Sequence, residues 1–126
     1  MSEIAVIGAG SWGTALAKVL GENGHAVTLW GRASEYVEEI QDKRVNARYL
    51  PNVTLPATLR STSDLEAAVR GKRYVVSVVP SHTVREVLGR AGKAMRPDAI
   101  VISASKGIEN ETLATMDEVL KDAEKY

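Results

Sequence analysis

A glycine-rich turn lies between a predicted strand and a predicted helix, close to the first residue of the chain. The apolar run Ile4–Ile7 precedes residues 8–13, which read Gly-Ala-Gly-Ser-Trp-Gly, and a segment rich in alanine and leucine follows. In this pattern the glycines permit a tight turn, close approach of a diphosphate to the main chain, and close helix–strand packing. The N–H groups at the start of the helix then face the phosphates. The residues predicted to bind a dinucleotide here are Gly8, Gly10, Ser11, Trp12 and Gly13.

Predicted strands and helices alternate along the rest of the chain. Alternation of this kind predicts one α/β domain over residues 1–126, of the doubly wound Rossmann type. We expect a mainly parallel sheet with helices on both faces and the strand order 3-2-1-4-5. Segment 45–56, which Pro51 and Pro56 interrupt, is expected to be irregular. The strands are predicted over 4–7, 26–30, 58–62, 74–79 and 99–103, and the helices over 11–22, 34–43, 65–69, 81–95 and from 110 onward.

The composition is that of a soluble globular domain. The chain has 126 residues, of which 44% are hydrophobic and 25% charged, and 16 basic residues balance 16 acidic ones. This balance argues against a nucleic-acid partner or an anionic membrane surface. No cysteine is present, so disulfides are excluded. The apolar runs are too short for membrane insertion, and the amino terminus enters a strand without a leader pattern, so we expect a cytoplasmic protein.

The end of the second predicted strand bears on the choice of cofactor. In NAD-selective folds an acidic residue at this place binds the ribose hydroxyls. Here the sequence reads Trp30-Gly31-Arg32, and the next carboxylate is Glu35. A guanidinium can form a bidentate pair with the 2′-phosphate of NADP. Arg32 therefore predicts that NADP(H) is preferred, with NAD(H) as the alternative cofactor.

Several further segments occur in a characteristic order. Together with the glycine turn, they closely resemble the bacterial NAD(P)-dependent glycerol-3-phosphate dehydrogenase family over essentially the whole chain. The segments are Asn23-Gly24-His25, Leu29-Trp30-Gly31-Arg32, Asn46-Ala47-Arg48-Tyr49-Leu50-Pro51-Asn52-Val53, Val78-Val79-Pro80-Ser81-His82 and Ala104-Ser105-Lys106-Gly107-Ile108-Glu109.

The resemblance implies an enzyme that interconverts glycerol 3-phosphate and dihydroxyacetone phosphate for phospholipid synthesis. It also implies that the general base is a lysine of a helical C-terminal domain. We therefore expect no catalytic residue in these 126 residues, and cofactor binding without turnover. By resemblance, Ser11, Trp12, Arg32 and Tyr49 contact the nicotinamide dinucleotide, and Lys106 lies near both the cofactor and the small phosphate substrate.

The residues themselves leave some alternatives open. Lys106 follows a predicted buried strand at the ligand edge, where an ammonium can bind a phosphate or polarise a carbonyl. Trp12 either covers the cofactor or packs on the sheet, and Tyr49 either covers the cofactor or packs beside Leu50. Ser81 is expected to cap a helix. The competing functions are the cofactor domain of a related short-acid or ketopantoate-type reductase, and a nucleotide-sensing Rossmann module without catalysis. An exposed sheet edge also predicts weak self-association into homo-oligomers.

Overall fold

The computed structural model describes residues 2–32, 34–79 and 81–104, and within these ranges it leaves out the side chains of 34–36 and 81–84. Strands and helices alternate through the described ranges, as predicted. The strands are β1 (Glu3–Ile7), β2 (Ala26–Trp30), β3 (Arg60–Thr62), β4 (Tyr74–Ser77) and β5 (Ile100–Ser103). The helices are α1 (Ser11–Glu22), α2 (Ser34–Lys43), α3 (Leu65–Val69) and α4 (Ser81–Ala91).

The strands form one parallel sheet in the order β3-β2-β1-β4-β5. This confirms the predicted doubly wound α/β architecture and its strand order. The order reverses at β1, because the chain moves outward through β2 and β3 on one side and through β4 and β5 on the other. Such a reversal opens a crevice beyond the carboxyl ends of the central strands, where ligands of these folds bind.

Both faces of the sheet are covered by helices. Alternate residues of β1 enter different cores, with Ile4 and Val6 on one face and Ala5 and Ile7 on the other. The apolar run of β1 is thus that of a strand buried on both faces. The helices add Ala17 of α1 and Ile40 of α2 to the first core, and Val69 of α3 and Val87 of α4 to the second.

Some elements are shorter than predicted, and a local hydrogen bond explains one of these differences. Strand β3 begins at Arg60 because the Leu59 N–H donates to the Pro56 carbonyl in a turn. Helix α4 ends at Ala91, and its last helical hydrogen bond runs from the Gly92 N–H to the Leu88 carbonyl. The helix predicted from residue 110 lies outside the described residues.

Residues 44–59, here called the 44–59 loop, connect α2 to β3. The loop begins at Arg44, whose φ of 60° ends the helix in the left-handed region. The Leu55 N–H donates to the Arg44 carbonyl over 2.7 Å, which closes the base of the loop. Asn46 and Leu50 form an isolated antiparallel bridge within it. The prediction of an irregular segment is therefore confirmed, but the loop is held by defined contacts.

Candidate functional site

The carboxyl ends of the central strands meet at one edge of the sheet. Ile7 lies between Trp30 of β2 and Ser77 of β4 in register. The pairing continues past the strand ends, since the Gly8 N–H donates to the Trp30 carbonyl over 2.9 Å and the Val78 N–H to the Ile7 carbonyl over 2.8 Å. The glycine turn, the residues after β2 and the residues after β4 therefore leave the sheet side by side.

The three glycines of the turn meet different surroundings. Gly8 has a φ of +124°, a conformation that L side chains rarely adopt. A Cβ on Gly13 would overlap the Gly8 carbonyl oxygen and lie 3.0 Å from its carbon, so a side chain there would push α1 off the turn. A Cβ on Gly10 would meet no atom of the described part of the chain within 4 Å, and the Gly10 φ of −76° suits any residue. Packing thus requires glycine at position 13, while the described protein gives no reason for it at position 10.

Helix α1 begins directly at this open space. Gly10 is its N-cap residue, and the Gly10 carbonyl accepts the Thr14 N–H over 3.0 Å. The amides of residues 11–13 precede the first intrahelical bond, so they have no acceptor within the helix. The first turn contains no acidic residue that would compensate the positive end of the helix dipole. This end of α1 is therefore suited to an anion.

The two large side chains at the carboxyl end of β2 differ in burial. Trp30 is 3% exposed, and its indole N–H donates to the Ser63 carbonyl over 2.9 Å. Arg32, two residues later, is exposed. Trp30 is therefore part of the core, while Arg32 lies exposed just after β2, the strand whose end pairs with the glycine turn.

The 44–59 loop contacts the glycine turn through two predicted site residues. The Ser11 hydroxyl donates to the Tyr49 carbonyl over 2.6 Å. The Tyr49 ring is 36% exposed, and the Arg48 guanidinium carbon lies 5.3 Å from its centroid. Ser11 and Tyr49, which are 38 positions apart, are thus neighbours at this edge.

Trp12 lies half-buried in the first turn of α1. Its indole nitrogen is buried and has no hydrogen-bond partner among the described residues. The structure therefore places the polar end of this ring inside the protein rather than in solvent.

Two buried polar residues of the site were not predicted from the sequence. Asn46 is 1% exposed and donates its side-chain amide to the Ala9 carbonyl over 3.0 Å and to the Thr14 hydroxyl over 2.9 Å. Thr14 is fully buried. Asparagine before a proline-broken segment is typical of an exposed turn, so the sequence carries no signal of this burial.

Polar contacts at the amino ends of the strands support the fold. The His25 Nδ1 atom accepts the Ser2 N–H over 3.1 Å, next to the first residues of β1 and β2. Near the start of β5, hydrogen bonds from Arg96 lower the pKa of the exposed Asp98 carboxyl. Neither group is near the glycine turn, because both lie where the strands begin.

Lys106 lies outside the described residues, and so do the side chains of Ser81 and His82. Ala104, two residues before Lys106, pairs with the neighbouring strand, since its N–H donates to the Ser77 carbonyl over 2.8 Å. Helix α4 begins at Ser81 itself, just after β4. The Ser81-His82 segment and the Lys106 segment therefore both follow a strand at the carboxyl end of the sheet, where ligands of such folds bind.

The sequence matches the model of one protein family, described as NAD-dependent glycerol-3-phosphate dehydrogenase N-terminus, over residues 3–125. The chain belongs to this glycerol-3-phosphate dehydrogenase family. The match supports the family resemblance and not the ketopantoate-type or nucleotide-sensing alternatives. This description names NAD, and the relatives below are named for NAD(P)+, so the family is NAD(P)-dependent.

Individual relatives agree with this assignment. A glycerol-3-phosphate dehydrogenase [NAD(P)+] from Syntrophotalea carbinolica is 50% identical over 94% of this chain and 36% of the relative. One from Bacillus pumilus is 42% identical over 96% of this chain and 35% of the relative. The crystal structure of glycerol-3-phosphate dehydrogenase from Coxiella burnetii matches with a TM-score of 0.79 and 38% identity, covering 99% of this chain and 38% of that one. The chain thus spans about a third of the length of these relatives.

Within the described residues, no helix has the length and apolar character needed to cross a membrane.

Proposed function

We propose that this chain binds a nicotinamide dinucleotide at the carboxyl edge of its sheet, with the diphosphate at the glycine turn. The observation that carries the proposal is Gly10. Packing explains Gly13 and the positive φ explains Gly8, but a Cβ on Gly10 would meet no atom of the residues that the structure describes. A ligand that approaches the main chain closely is the physical reason for a glycine at such a position.

The start of α1 fits the charge of that ligand. The amides of residues 11–13 have no acceptor within the helix, and the helix dipole adds positive potential at the same place. A diphosphate would accept these N–H groups without any basic side chain in the turn. Ser11 and Trp12 would contribute through the backbone, and the Ser11 side chain would keep its contact with the 44–59 loop.

For the adenosine half we propose Arg32 as the group that selects the cofactor. The sequence offers no carboxylate at positions 30–32, where an NAD-selective fold would use one. Arg32 is exposed beside the turn, and a guanidinium matches the 2′-phosphate of NADPH in both geometry and charge. NADPH is accordingly the preferred cofactor, with NADH bound more weakly.

For the whole protein we propose the reaction named by its relatives, the interconversion of glycerol 3-phosphate and dihydroxyacetone phosphate. The nicotinamide ring supplies the hydride in such a reaction, so the protein has to bind and orient rather than provide a nucleophile. In this chain that task would fall to the glycine turn, Arg32 and Tyr49, and to Lys106 for the anionic substrate. A cytoplasmic location is part of the same proposal.

The cofactor proposal is tested with dissociation constants for NADPH and NADH, measured on the wild type and on Arg32→Ala. Loss of a charged hydrogen-bonded pair costs roughly 1.5–3 kcal/mol, so NADPH binding should weaken about 10- to 150-fold. NADH binding should change little, because it has no 2′-phosphate. The matched control is Arg60→Ala. Arg60 is an exposed arginine at the first residue of β3, at the end of the sheet opposite the carboxyl ends of the strands.

If Arg32→Ala leaves the ratio of the two constants unchanged, Arg32 does not select the cofactor. If the wild type binds neither nucleotide, the proposed site itself is wrong.

A further inference from the structure

The carbonyl of Ala9, at the centre of the glycine turn, is held by two buried side chains. It accepts the Asn46 side-chain amide over 3.0 Å and the Thr14 hydroxyl over 3.3 Å. Asn46 donates its second N–H to the same Thr14 hydroxyl over 2.9 Å. These three groups form a closed hydrogen-bonded triangle, here called the Ala9 clamp, that is sealed from solvent because both side chains are at most 1% exposed.

Asn46 also organises the 44–59 loop. Its side-chain oxygen accepts the Tyr49 N–H over 3.3 Å, and its backbone carbonyl accepts the Leu50 N–H over 2.8 Å. On the other side of this turn, the Tyr49 carbonyl accepts the Ser11 hydroxyl. A single amide group thus donates twice toward the glycine turn and accepts once from the loop, so the positions of the two segments are linked.

The clamp has a geometric consequence for the main chain of the turn. The peptide between Ala9 and Gly10 is planar and trans, because the described residues contain no cis peptide. Its N–H and C=O therefore point in opposite directions, and holding the Ala9 carbonyl in the interior directs the Gly10 N–H away from it. Gly10 itself contributes little restraint, since it has no side chain and open space beside it.

We infer that Asn46 is a positioning residue that fixes the glycine turn, through the Ala9 clamp, in the orientation that binds the dinucleotide diphosphate. This inference rests on the proposed function, because it assigns a cause to the affinity of that site. Asn46 itself does not need to touch the ligand. A turn that is already held in its binding conformation loses less conformational freedom when the ligand arrives, which raises affinity.

A purely structural role for Asn46 makes a different prediction. If the clamp only stabilises the fold, removing it lowers the free energy of unfolding but leaves the affinity of the folded molecules unchanged. If it positions the turn, the folded molecules bind more weakly. The two roles are therefore separated by measuring affinity and stability on the same variants, at a temperature where each variant is folded.

The experiment uses NADPH as the probe and the variants Asn46→Ala, Thr14→Val and Thr14→Ser. We expect Asn46→Ala to weaken NADPH binding about tenfold and Thr14→Val about threefold, in line with lost preorganisation of the turn. Thr14→Ser keeps the hydroxyl and should bind within about twofold of the wild type, which is rescue by the conservative variant.

The matched control is Gln41→Ala. The Gln41 side-chain oxygen accepts the Ser61 N–H over 3.0 Å, which also links two elements distant in sequence but does not touch the turn. This variant should lose stability while its NADPH dissociation constant stays unchanged.

Folded Asn46→Ala that binds NADPH as the wild type does would overturn the inference and leave the proposed function intact. If Asn46→Ala does not fold, the two Thr14 variants decide, and equal affinities for Thr14→Val and the wild type would overturn it. A wild type that binds neither NADPH nor NADH would remove the proposed function and the inference together.

Discussion

The glycine turn and the 44–59 loop lie against each other, yet they owe their conformations to different parts of the chain. The turn is shaped by the absence of side chains, through the positive φ of Gly8 and the tight approach of Gly13 to the Gly8 carbonyl. The loop is held by side-chain hydrogen bonds, because its own Asn46 donates to the Ala9 carbonyl and the Ser11 hydroxyl donates to the Tyr49 carbonyl. The backbone path of the turn thus requires glycine at two positions, with the Ala9 clamp fixing its orientation, whereas the loop depends on hydrogen bonds for its place.

This difference explains how the two regions respond to change. A glycine of the turn that already touches main chain cannot accept a side chain, whereas a glycine with open space beside it accepts one without loss of stability. A loop held by hydrogen bonds loses a moderate amount of energy for each bond removed, about 0.5–1.5 kcal/mol, and more when a buried partner is left unsatisfied. We therefore expect the largest effects where an added side chain would meet main chain, and the smallest where a single exposed hydrogen bond is lost.

The largest effect is expected from Gly13→Ala. Its Cβ would overlap the backbone oxygen of Gly8, which cannot move without breaking the pairing of the turn with Trp30. We expect a loss of roughly 3 kcal/mol or more in the free energy of unfolding, measured by urea denaturation, because overpacking against main chain cannot relax locally. Gly10→Ala is the control and should unfold close to the wild type. Equal stability of both variants would contradict the close approach at Gly13.

The next effect concerns binding at Gly10. Gly10→Val places a branched side chain in the open space proposed for the diphosphate, and the φ of −76° accepts it. The circular dichroism spectrum should stay that of the wild type. NADPH affinity should fall about 100-fold or more, equivalent to roughly 3 kcal/mol. Retained affinity would show that the ligand does not pass this residue.

The same contrast decides how much could be predicted from the sequence. The glycine turn, helix α1, strand β2, helix α3 and the strand order were predicted correctly, because periodicity and glycine spacing are local signals. The start of α3 also has a local cause, since Asp64 directly precedes the helix and its side chain accepts the Ala67 N–H. Elements that depend on local sequence signals could therefore be predicted without the structure.

The Ala9 clamp could not be predicted from the sequence in the same way. Thr14 reads as an ordinary helix residue and Asn46 as a turn residue, and only the folded chain brings them together across 32 positions. Burial of Asn46 depends on the path of the 44–59 loop, which follows no periodic pattern. Asn46 belongs to one of the segments that carry the family resemblance, but the resemblance implies no role for this residue. Long-range polar contacts of this kind have no sequence period from which they could be predicted.

The smallest effect is expected from Ser11→Ala, which removes the hydroxyl that reaches from the glycine turn to the loop. This bond is exposed, so its loss should cost about 0.5 kcal/mol of stability, at the low end for a hydrogen bond. NADPH binding should weaken about twofold, because Asn46 still holds the loop on the turn. Ser61→Ala is the matched control, since the Ser61 hydroxyl donates to the Val37 carbonyl over 2.8 Å away from the site.

Combining Ser11→Ala with Asn46→Ala tests whether the two contacts hold the same unit. Both side chains bind the turn of the loop that contains Tyr49, one through its carbonyl and one through its N–H. Without the Asn46 side chain, the loop is no longer held against the turn, so the Ser11 hydrogen bond contributes less to the position of the loop. The double variant should therefore bind NADPH about as weakly as Asn46→Ala alone, a departure from additivity that neighbouring residues in one network produce. Strictly additive losses would mean that the loop is fastened to the glycine turn at two independent points.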